Sequence, residues 1–287
     1  MVLPCCRVLN ATPSDLYCSA TTVFVFLPAS PQENCMTARK IHMLNTQIHD
    51  LDMDQTIALV DEAISAQKQI HHVAVNAGKI VKMQSDPELR ESVNNSDLIN
   101  ADGQAVIWAS KFLKQPLKER VAGIDLMANL VALAHQKQYK IYLFGAKEEV
   151  VSKVAAIYKK QYGESLVAGY RNGYFTKEEE PQIAKDIAAS GAQILFVAIT
   201  SPIKENFLYQ NREALANVNM IMGVGGSFDV VAGITKRAPL WMQRSGLEWF
   251  YRFLQEPGRM WKRYLVGNFK FIVLVLTEKF KGESPKK

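Results

Sequence analysis

The segment YKIYLFGAKEEVVSKVAAIYKKQYG, residues 139–163, joins a short apolar run to a longer amphipathic pattern. The run YKIYLFG is typical of a parallel strand covered on both faces, and KEEVVSKVAAIYKKQYG predicts a helix that ends at Gly163. Similar pairs of apolar run and helical pattern follow one another between about residues 40 and 232. This alternation predicts βαβ units, and therefore an α/β fold with a doubly wound, largely parallel, Rossmann-like sheet.

The candidate elements place the candidate site. The candidate strands are KIHML (40–44), HHVAVN (71–76), DLIN (97–100), YKIYLFG (139–145), SLVAG (165–169), QILFVAI (193–199) and VNMIMGV (218–224). The candidate helices are DMDQTIALVDEAISAQ (52–67), GIDLMANLVALAHQKQ (123–138), KEEVVSKVAAIYKKQYG (147–163) and KEEEPQIAKDIAASG (177–191). Ligands of such sheets bind at the carboxyl ends of the strands. We therefore expect functional residues in the loops NAGK (76–79), NADGQ (100–104), TSPIKE (200–205) and GVGGSFD (223–229).

Composition and charge indicate the general class of protein to which this chain belongs. Hydrophobic residues make up 48 % of the 287-residue chain and charged residues 22 %, which is ordinary for a globular protein with a sizeable core. No run reaches about 18 uninterrupted apolar residues, so no transmembrane helix is predicted. Ten Lys/Arg and four Asp/Glu lie from Arg244 onward, which accounts for the whole net charge of +6. The basic character therefore belongs to the C-terminal segment.

The N-terminal segment differs from the rest of the chain. All four cysteines precede Met36, and a cysteine-free remainder is typical of a protein folded in a reducing compartment such as the cytoplasm. The segment lacks the basic start and the small-residue cleavage site of a signal peptide. We predict that residues 1–35 are a disordered or non-native extension, with a lipidated or membrane-inserted N-terminus as the alternative.

Asp102 and Gly103 lie between a candidate strand and a candidate helix. One interpretation is an N-cap aspartate, whose side chain accepts an N–H of the first helical turn, with Gly103 easing the turn. The other is a general base, because a carboxylate at the top of a parallel sheet is well placed to take the proton of a sugar hydroxyl. The local sequence leaves both interpretations open.

The glycine-rich turn GVGGSFDVVAG (223–233) connects an apolar strand to a short helix. Gly225 and Gly226 allow a phosphate to approach the backbone and the helix N-terminus, and Asp229 is placed to cap the helix or to hold a ribose. Phe228 stands where a dinucleotide fingerprint requires glycine, and the turn lacks the Gly-Lys-Ser/Thr ending of a P-loop. A nucleotide-phosphate contact and a purely structural turn are the two interpretations.

Three charged residues in other loops also have two interpretations. Lys204 and Glu205 follow Ser201-Pro202 and fit a solvated helix start, or Lys204 is a cation that faces a phosphate or a leaving group. Arg120, in KERVAGIDL (118–126), fits a surface ion pair or a bidentate phosphate contact. None of the five histidines has a partner set with metal-ligand spacing, so we predict no metal site and no cofactor.

The segment WMQRSGLEWFYRFLQEPGRMWKRYLVGNFKFIVLVLTEKF, residues 241–280, interleaves aromatic and basic residues and ends in an apolar stretch. Aromatic rings, cations and an apolar face together are typical of a helix on an anionic membrane surface. Nucleic-acid binding does not need the apolar stretch and is not expected. We predict that residues 241–287 form a membrane-associating helical appendage on an α/β core of residues 36–240, with a homo-oligomer interface as the alternative.

Seven segments occur in order along the chain: ADGQAVIW (101–108), LKERVAGIDL (117–126), YLFGAKEEVV (142–151), GYRNGYF (169–175), TSPIKENF (200–207), GVGGSFDVVAGITKRAP (223–239) and GLEWFYRFLQEPGRMWKRYLVGN (246–268). Together they resemble the WecG/TagA/CpsF family of bacterial glycosyltransferases. The resemblance implies an inverting, metal-independent enzyme that moves a sugar from a UDP-sugar to a polyprenyl-diphosphate-linked saccharide. The sugar would be N-acetylmannosamine, its uronic acid, glucose or glucuronic acid. Such enzymes act at the cytoplasmic face of the membrane, in the synthesis of teichoic acid, capsule or exopolysaccharide.

The resemblance also assigns residues. Asp102 falls on the family's proposed catalytic base, and Arg120 on an arginine thought to bind phosphates. Asn76 matches the asparagine of a Thr-x-Asn element whose threonine is replaced here by Ala74. Lys204 stands at the glutamine position of the family's Pro-Lys-Gln-Glu. The last two departures leave donor and acceptor identity open.

The residues and the family resemblance together predict the following roles. Asp102 accepts the proton of the acceptor hydroxyl, and Gly103 leaves room for a sugar ring. Arg120, the Gly225-Gly226 turn and Lys204 stabilise the departing UDP. The substrate-binding set is completed by Asn76, Glu205, Asp229 and four arginines for the lipid diphosphate, Arg237, Arg252, Arg259 and Arg263.

Two other function classes compete with this reading. A nucleotide-dependent oxidoreductase would suit the doubly wound pattern, but the absent glycine at position 228 counts against it. A non-catalytic membrane adaptor built on a transferase fold is the second rival.

Overall fold

A parallel sheet of six strands forms the centre of the computed structural model, which describes residues 38–261 and 266–281. The predicted extension 1–35 and Arg263 lie outside the described residues. Its strands are β3 (Ile70–Val75), β4 (Leu98–Ala101), β5 (Ile141–Gly145), β6 (Val167–Arg171), β7 (Ile194–Ala198) and β8 (Met220–Gly223). Their order across the sheet is β4-β3-β8-β7-β5-β6, and every neighbouring pair is parallel. The predicted doubly wound α/β fold is confirmed.

The helices lie between and after these strands, within the described part of the chain. In chain order they are α1 (Met53–Ser65), α2 (Ala77–Ser85), α3 (Pro87–Asn94), α4 (Gln104–Phe112), α5 (Gly123–Lys137), α6 (Glu148–Tyr162), α7 (Glu180–Ala189), α8 (Ile203–Gln210), α9 (Ser227–Val231), α10 (Leu240–Arg244), α11 (Glu248–Gln255), α12 (Pro257–Trp261) and α13 (Gly267–Lys281). The four predicted helices correspond to α1, α5, α6 and α7, the last preceded by a 3-10 turn at Lys177–Glu179.

The predicted strand KIHML does not join this sheet. It forms β1 (Lys40–Met43), which pairs antiparallel with β2 (Thr46–His49), a strand that the sequence analysis did not include. Leu44 and Asn45 connect the two strands with φ of 52° and 61°, the left-handed conformation of a tight two-residue hairpin turn. Ile41, Met43 and Ile48 of the hairpin are buried in one apolar cluster with residues of α2, α3 and α4.

Strand register brings the predicted loops to one edge. Val75 lies opposite Ala101 in the β3–β4 pair, so Asn76 and Asp102 follow from adjacent strand ends. Val197 lies opposite Gly223 in the β7–β8 pair, which places the TSPIKE and GVGGSFD loops side by side. All four predicted loops therefore leave the same carboxyl edge of the sheet.

The last described helix, α13, packs against the body of the protein. Phe271 and Val275 are buried in the same apolar cluster as Ile41 and Met83, and Glu278 accepts the Leu44 backbone N–H at 2.7 Å and 3.0 Å through its two oxygens. Among helices in the described ranges, none combines the length and hydropathy needed to span a bilayer. The predicted division at residue 240 stays a prediction.

Candidate active site

A cavity of about 510 Å³ opens at the carboxyl ends of β3 and β4. Its polar end includes the side chains of Asn76, Asp102, Arg120, Glu248 and Arg252. Its apolar wall comes from two helices, with Trp108 and Phe112 on α4 and Phe271, Ile272, Val275 and Leu276 on α13. One cavity therefore joins charged groups to a continuous apolar surface.

Asp102 is held at the polar end by the backbone around it. Its N–H donates to the Val75 carbonyl at 2.8 Å, which extends the β3–β4 pairing by one residue. Helix α4 begins after Gly103, and no side chain caps it. The N-cap interpretation of Asp102 is therefore wrong for α4. Its carboxylate instead approaches the Gly123 backbone N–H, at the first turn of α5.

The environment of Asp102 shifts its acidity. Burial raises the pKa of the carboxyl, the charges of Arg120 and Arg252 lower it, and the nearby Glu248 carboxylate raises it; the net direction is upward. A carboxylate with a raised pKa is a stronger proton acceptor once it is ionised. The position thus has the chemistry of a general base.

Gly103 and Asn76 line the cavity beside Asp102. Gly103 has φ of +152°, a conformation that favours glycine, and an added Cβ would lie 3.4 Å from the Asn76 Cβ. Asn76 is the N-cap of α2, where its side-chain oxygen accepts the Lys79 backbone N–H at 3.0 Å. The backbone conformation of Gly103, rather than a lack of space, therefore favours glycine here.

Two arginines converge on Glu248 across the cavity. The Arg120 Nη1 lies 3.2 Å from one carboxylate oxygen, and the Arg252 Nη2 lies 3.2 Å from the other. The Glu248 side chain is only 12 % exposed, against 17 % for Arg120 and 41 % for Arg252. Glu248 was not among the predicted site residues, although the Glu–Arg spacing of four within EWFYR is a usual helical ion pair.

Arg237 lies near this group but does not line the cavity. Its two terminal nitrogens contact the two oxygens of Asp125 at 2.6 Å and 2.7 Å, in the first turn of α5. These hydrogen bonds, with the charges of Glu248 and Asp102, raise the pKa of Arg237. The guanidinium is thus fixed beside the site by a partner of its own.

Lys204 and Glu205 are buried away from the cavity, so the solvated helix start is the wrong interpretation. Lys204 and Glu205 are 7 % and 1 % exposed, and the Glu205 Oε1 lies 3.2 Å from the Lys204 Nζ and 2.9 Å from the Lys79 Nζ. Burial and the charge of Lys79 lower the pKa of Lys204 to about 8. Burial alone would raise the pKa of Glu205, but the two lysine charges outweigh it and lower that pKa to about 2.

The glycine-rich turn after β8 is exposed and also lies outside the cavity. Gly225 has φ of +53°, and an added Cβ would have no atom within 4 Å. Asp229 lies within α9, its carboxyl close to Gly226, and its carbonyl accepts the N–H groups of Ile234 and Thr235. The turn therefore exposes Gly225 and Gly226 at the same sheet edge as Asp102.

Arg259, predicted to bind the lipid diphosphate, lies in α12, and only the backbone of this residue is described. Within 38–261 and 266–281, no group of three or more His, Cys, Asp or Glu side chains is arranged to hold a metal ion.

Comparisons with known proteins identify the family. A family profile described as "Glycosyl transferase WecG/TagA/CpsF family" matches residues 41–285. The chain is 37 % identical over 193 residues to the N-acetylglucosaminyldiphosphoundecaprenol N-acetyl-beta-D-mannosaminyltransferase of Bacillus subtilis (strain 168), covering 67 % of this chain and 73 % of that protein. The chain belongs to the WecG/TagA/CpsF family of glycosyltransferases.

Proposed function

We propose that this glycosyltransferase moves N-acetylmannosamine or a related hexose from a UDP-sugar to a polyprenyl-diphosphate-linked saccharide, with inversion and without a metal ion. The printed name of the Bacillus subtilis relative describes an N-acetylmannosaminyl transfer to an undecaprenyl-diphosphate-linked N-acetylglucosamine. That name supports the acceptor class and favours N-acetylmannosamine over its uronic acid, glucose and glucuronic acid.

The amphipathic cavity is the observation on which the proposal depends. A polyprenyl-diphosphate-linked sugar has a saccharide, two phosphates and an apolar chain in sequence. The cavity has a carboxylate at Asp102, cations at Arg120 and Arg252, and the apolar wall of α4 and α13 in one continuous space. Ligand pockets are mostly apolar, with a few polar groups that fix orientation, and this order of groups matches the acceptor.

The mechanism we propose uses Asp102 as general base. The acceptor hydroxyl gives its proton to the Asp102 carboxylate while the hydroxyl oxygen attacks the anomeric carbon of the donor sugar. The bond from that carbon to UDP breaks as the new bond forms, so attack from the opposite face inverts the configuration. Proton removal by a positioned side chain accounts for about 10²–10⁴-fold of a typical rate enhancement.

The departing charge is neutralised by arginines in this proposal. Arg120 contacts the UDP diphosphate, and the exposed backbone of Gly225 and Gly226 offers N–H groups to the nucleotide at the same sheet edge. Arg252, with Arg237, Arg259 and Arg263, binds the lipid diphosphate. In this proposal Lys204 contributes only indirectly to stabilising the departing UDP. It stays in its ion pair with Glu205 and adds positive electrostatic potential next to Gly223, at the end of β8.

The proposal also locates the enzyme at the cytoplasmic face of the membrane, next to its lipid-linked acceptor. Several large apolar side chains of α10 and α11 are exposed, including Leu240, Trp241 and Leu254, and the C-terminal segment has the net positive charge of the chain. Apolar contact and cationic charge together support binding to an anionic surface. We propose a peripheral association through this segment.

The test is a transfer assay with purified protein. UDP-N-acetylmannosamine and a panel of other UDP-sugars are incubated with polyprenyl-diphosphate-linked N-acetylglucosamine, with and without EDTA. We expect transfer that survives EDTA, and a product with inverted anomeric configuration by NMR. Absence of transfer from every UDP-sugar would refute the donor and acceptor classes, and loss of transfer in EDTA would refute the metal-free mechanism.

A further inference from the structure

Glu248 occupies an unusual position for a carboxylate. It projects from the first turn of α11 into the polar end of the cavity, where its two oxygens each contact a different arginine at 3.2 Å. The contact to Arg120 joins residues 128 positions apart, and the one to Arg252 lies within α11. Glu248 thus links the sheet edge to the C-terminal helices.

Arg120 and Arg252 contact the Glu248 carboxylate as a pair of arginines would contact a bound diphosphate. The protein's own carboxylate thus occupies the position that a phosphate group would take. Arginine pairs usually receive phosphate oxygens through the same terminal nitrogens that here contact Glu248. A second anion entering between Arg120 and Arg252 would meet the Glu248 charge at close range, and like charges so placed repel. A diphosphate that binds either arginine therefore competes with the Glu248 carboxylate for that cation.

We propose that Glu248 is a positioning residue that stands in for a substrate diphosphate: it holds Arg120 and Arg252 in the cavity and releases them when the diphosphate enters. The inference rests on the proposed function in taking a diphosphate as the ligand. It adds a role that catalysis alone does not require. Glu248 keeps the two arginines oriented before substrate binds, and it lowers the affinity for the diphosphate because the two anions compete for the arginines.

The same charge acts on Asp102. The charged groups that face Asp102 are Arg120, Arg252 and Glu248, with Arg237 nearby on its Asp125 partner. Of these, Glu248 raises the pKa of Asp102 and the arginines lower it. Removing the Glu248 charge should therefore weaken Asp102 as a base, while it strengthens binding of the diphosphate. A fall in kcat together with a fall in KM distinguishes this role from simple support of the fold.

The test is Glu248→Gln, measured first by calorimetric binding of UDP and, separately, of farnesyl diphosphate to the full chain. Glutamine keeps the shape and loses the charge, so we expect at least one of the two ligands to bind about tenfold more tightly than to the wild type. Tighter UDP would place the competition in the donor site, and tighter farnesyl diphosphate in the acceptor site. Equal or weaker binding of both ligands overturns the proposal.

A control variant shows whether the change in affinity is specific to Glu248. Glu179→Gln removes a carboxylate from an exposed ion pair with Arg171, outside the cavity, and should change neither affinity. If Glu248→Gln fails to fold, Glu248→Ala removes the same charge and the same result is expected of it. Binding is measured without sugar transfer, so a failure of the proposed transferase reaction would leave this test standing.

A second readout uses transfer in the active enzyme. Glu248→Gln should lower KM for the diphosphate-bearing substrate, lower kcat, and move the acid limb of the pH profile to lower pH. A variant that lowers kcat but leaves KM and the pH profile unchanged would contradict a role in diphosphate competition.

Discussion

At the scale of single residues, Asp102 decides whether the proposed chemistry is right. Replacing it by asparagine keeps the size and removes the base, so we expect transfer to fall by about 10²–10⁴-fold while UDP still binds. The measurement is the initial rate of transfer at neutral pH. Asp54→Asn, an exposed change on α1, is the matched control and should keep full activity; equal rates for Asp102→Asn and wild type would remove Asp102 as the base.

The raised pKa of Asp102 makes a second prediction, about stability. Because the folded protein favours the protonated carboxyl, the stabilising contribution of this group is present at low pH and is lost as pH rises through the raised pKa. At neutral pH the ionised carboxylate therefore costs stability, and Asp102→Asn should melt at a higher temperature than wild type. Calorimetry at pH 7 checks the sign, and a lower Tm would contradict it.

Glu205 should behave in the opposite way. Its pKa is lowered to about 2 by Lys79 and Lys204, so its stabilising effect is present at neutral pH and is lost as pH falls toward 2. Glu205→Gln leaves two lysines without their carboxylate, and such a loss typically costs about 3–5 kcal/mol of unfolding free energy. Urea unfolding measures it, and exposed Glu213→Gln should stay within about 0.5 kcal/mol of wild type.

These residues also show what a sequence can and cannot predict. Asp102 and Asn76 were found because each follows an apolar strand, and parallel strands end together. Glu248 was missed because its contact with Arg120 spans 128 positions, which no local pattern contains. The burial of Lys204 was missed because it depends on Gly223 lacking a Cβ, which would lie 2.5 Å from the Lys204 Cε.

At the scale of elements, the alternation of apolar runs and helical patterns was enough to predict a largely parallel sheet, and six of the seven candidate strands form it. The strand β2 escaped prediction because TQIH is short and only one of its four residues, Ile48, is apolar. The apolar run of α13 was interpreted as a membrane face, and that stays a prediction. Phe271 and Val275 are buried in the core, whereas Phe269, Val273 and Phe280 are exposed.

The position of α13 depends on contacts near its end, which can be tested. Glu278 accepts the Leu44 N–H, and Lys279 lies 5.7 Å from the centre of the Phe112 ring on α4. A hydrogen bond to a charged group contributes about 1.5–3 kcal/mol, so Glu278→Gln should speed amide exchange in α13 by about tenfold. Lys270→Gln, on an exposed position of α13, is the control; unchanged exchange in Glu278→Gln would show that other contacts hold the helix.

At the scale of the whole molecule, the proposed membrane-binding surface and the cavity both use the C-terminal helix α11. Deleting residues 241–287 would remove Glu248, Arg252 and one wall of the cavity together with the exposed apolar side chains. Such a deletion cannot separate membrane binding from catalysis, because α13 is also part of the apolar core. Substitutions confined to exposed positions are needed instead.

Leu240, Trp241 and Leu254 provide those positions, since they are 68 %, 64 % and 59 % exposed. Burying one large apolar side chain contributes about 1.5–3 kcal/mol, so Trp241→Ser with Leu254→Ser should lower the partition onto vesicles of anionic phospholipid by tenfold or more. Tyr174→Ser removes a ring that is 69 % exposed in the segment after β6 and should leave the partition unchanged. If the double variant sediments with vesicles as well as wild type does, then α10 and α11 are not the membrane-binding surface. If it is released but still transfers sugar to a short, water-soluble acceptor, then membrane attachment and catalysis are separate functions of the same helices.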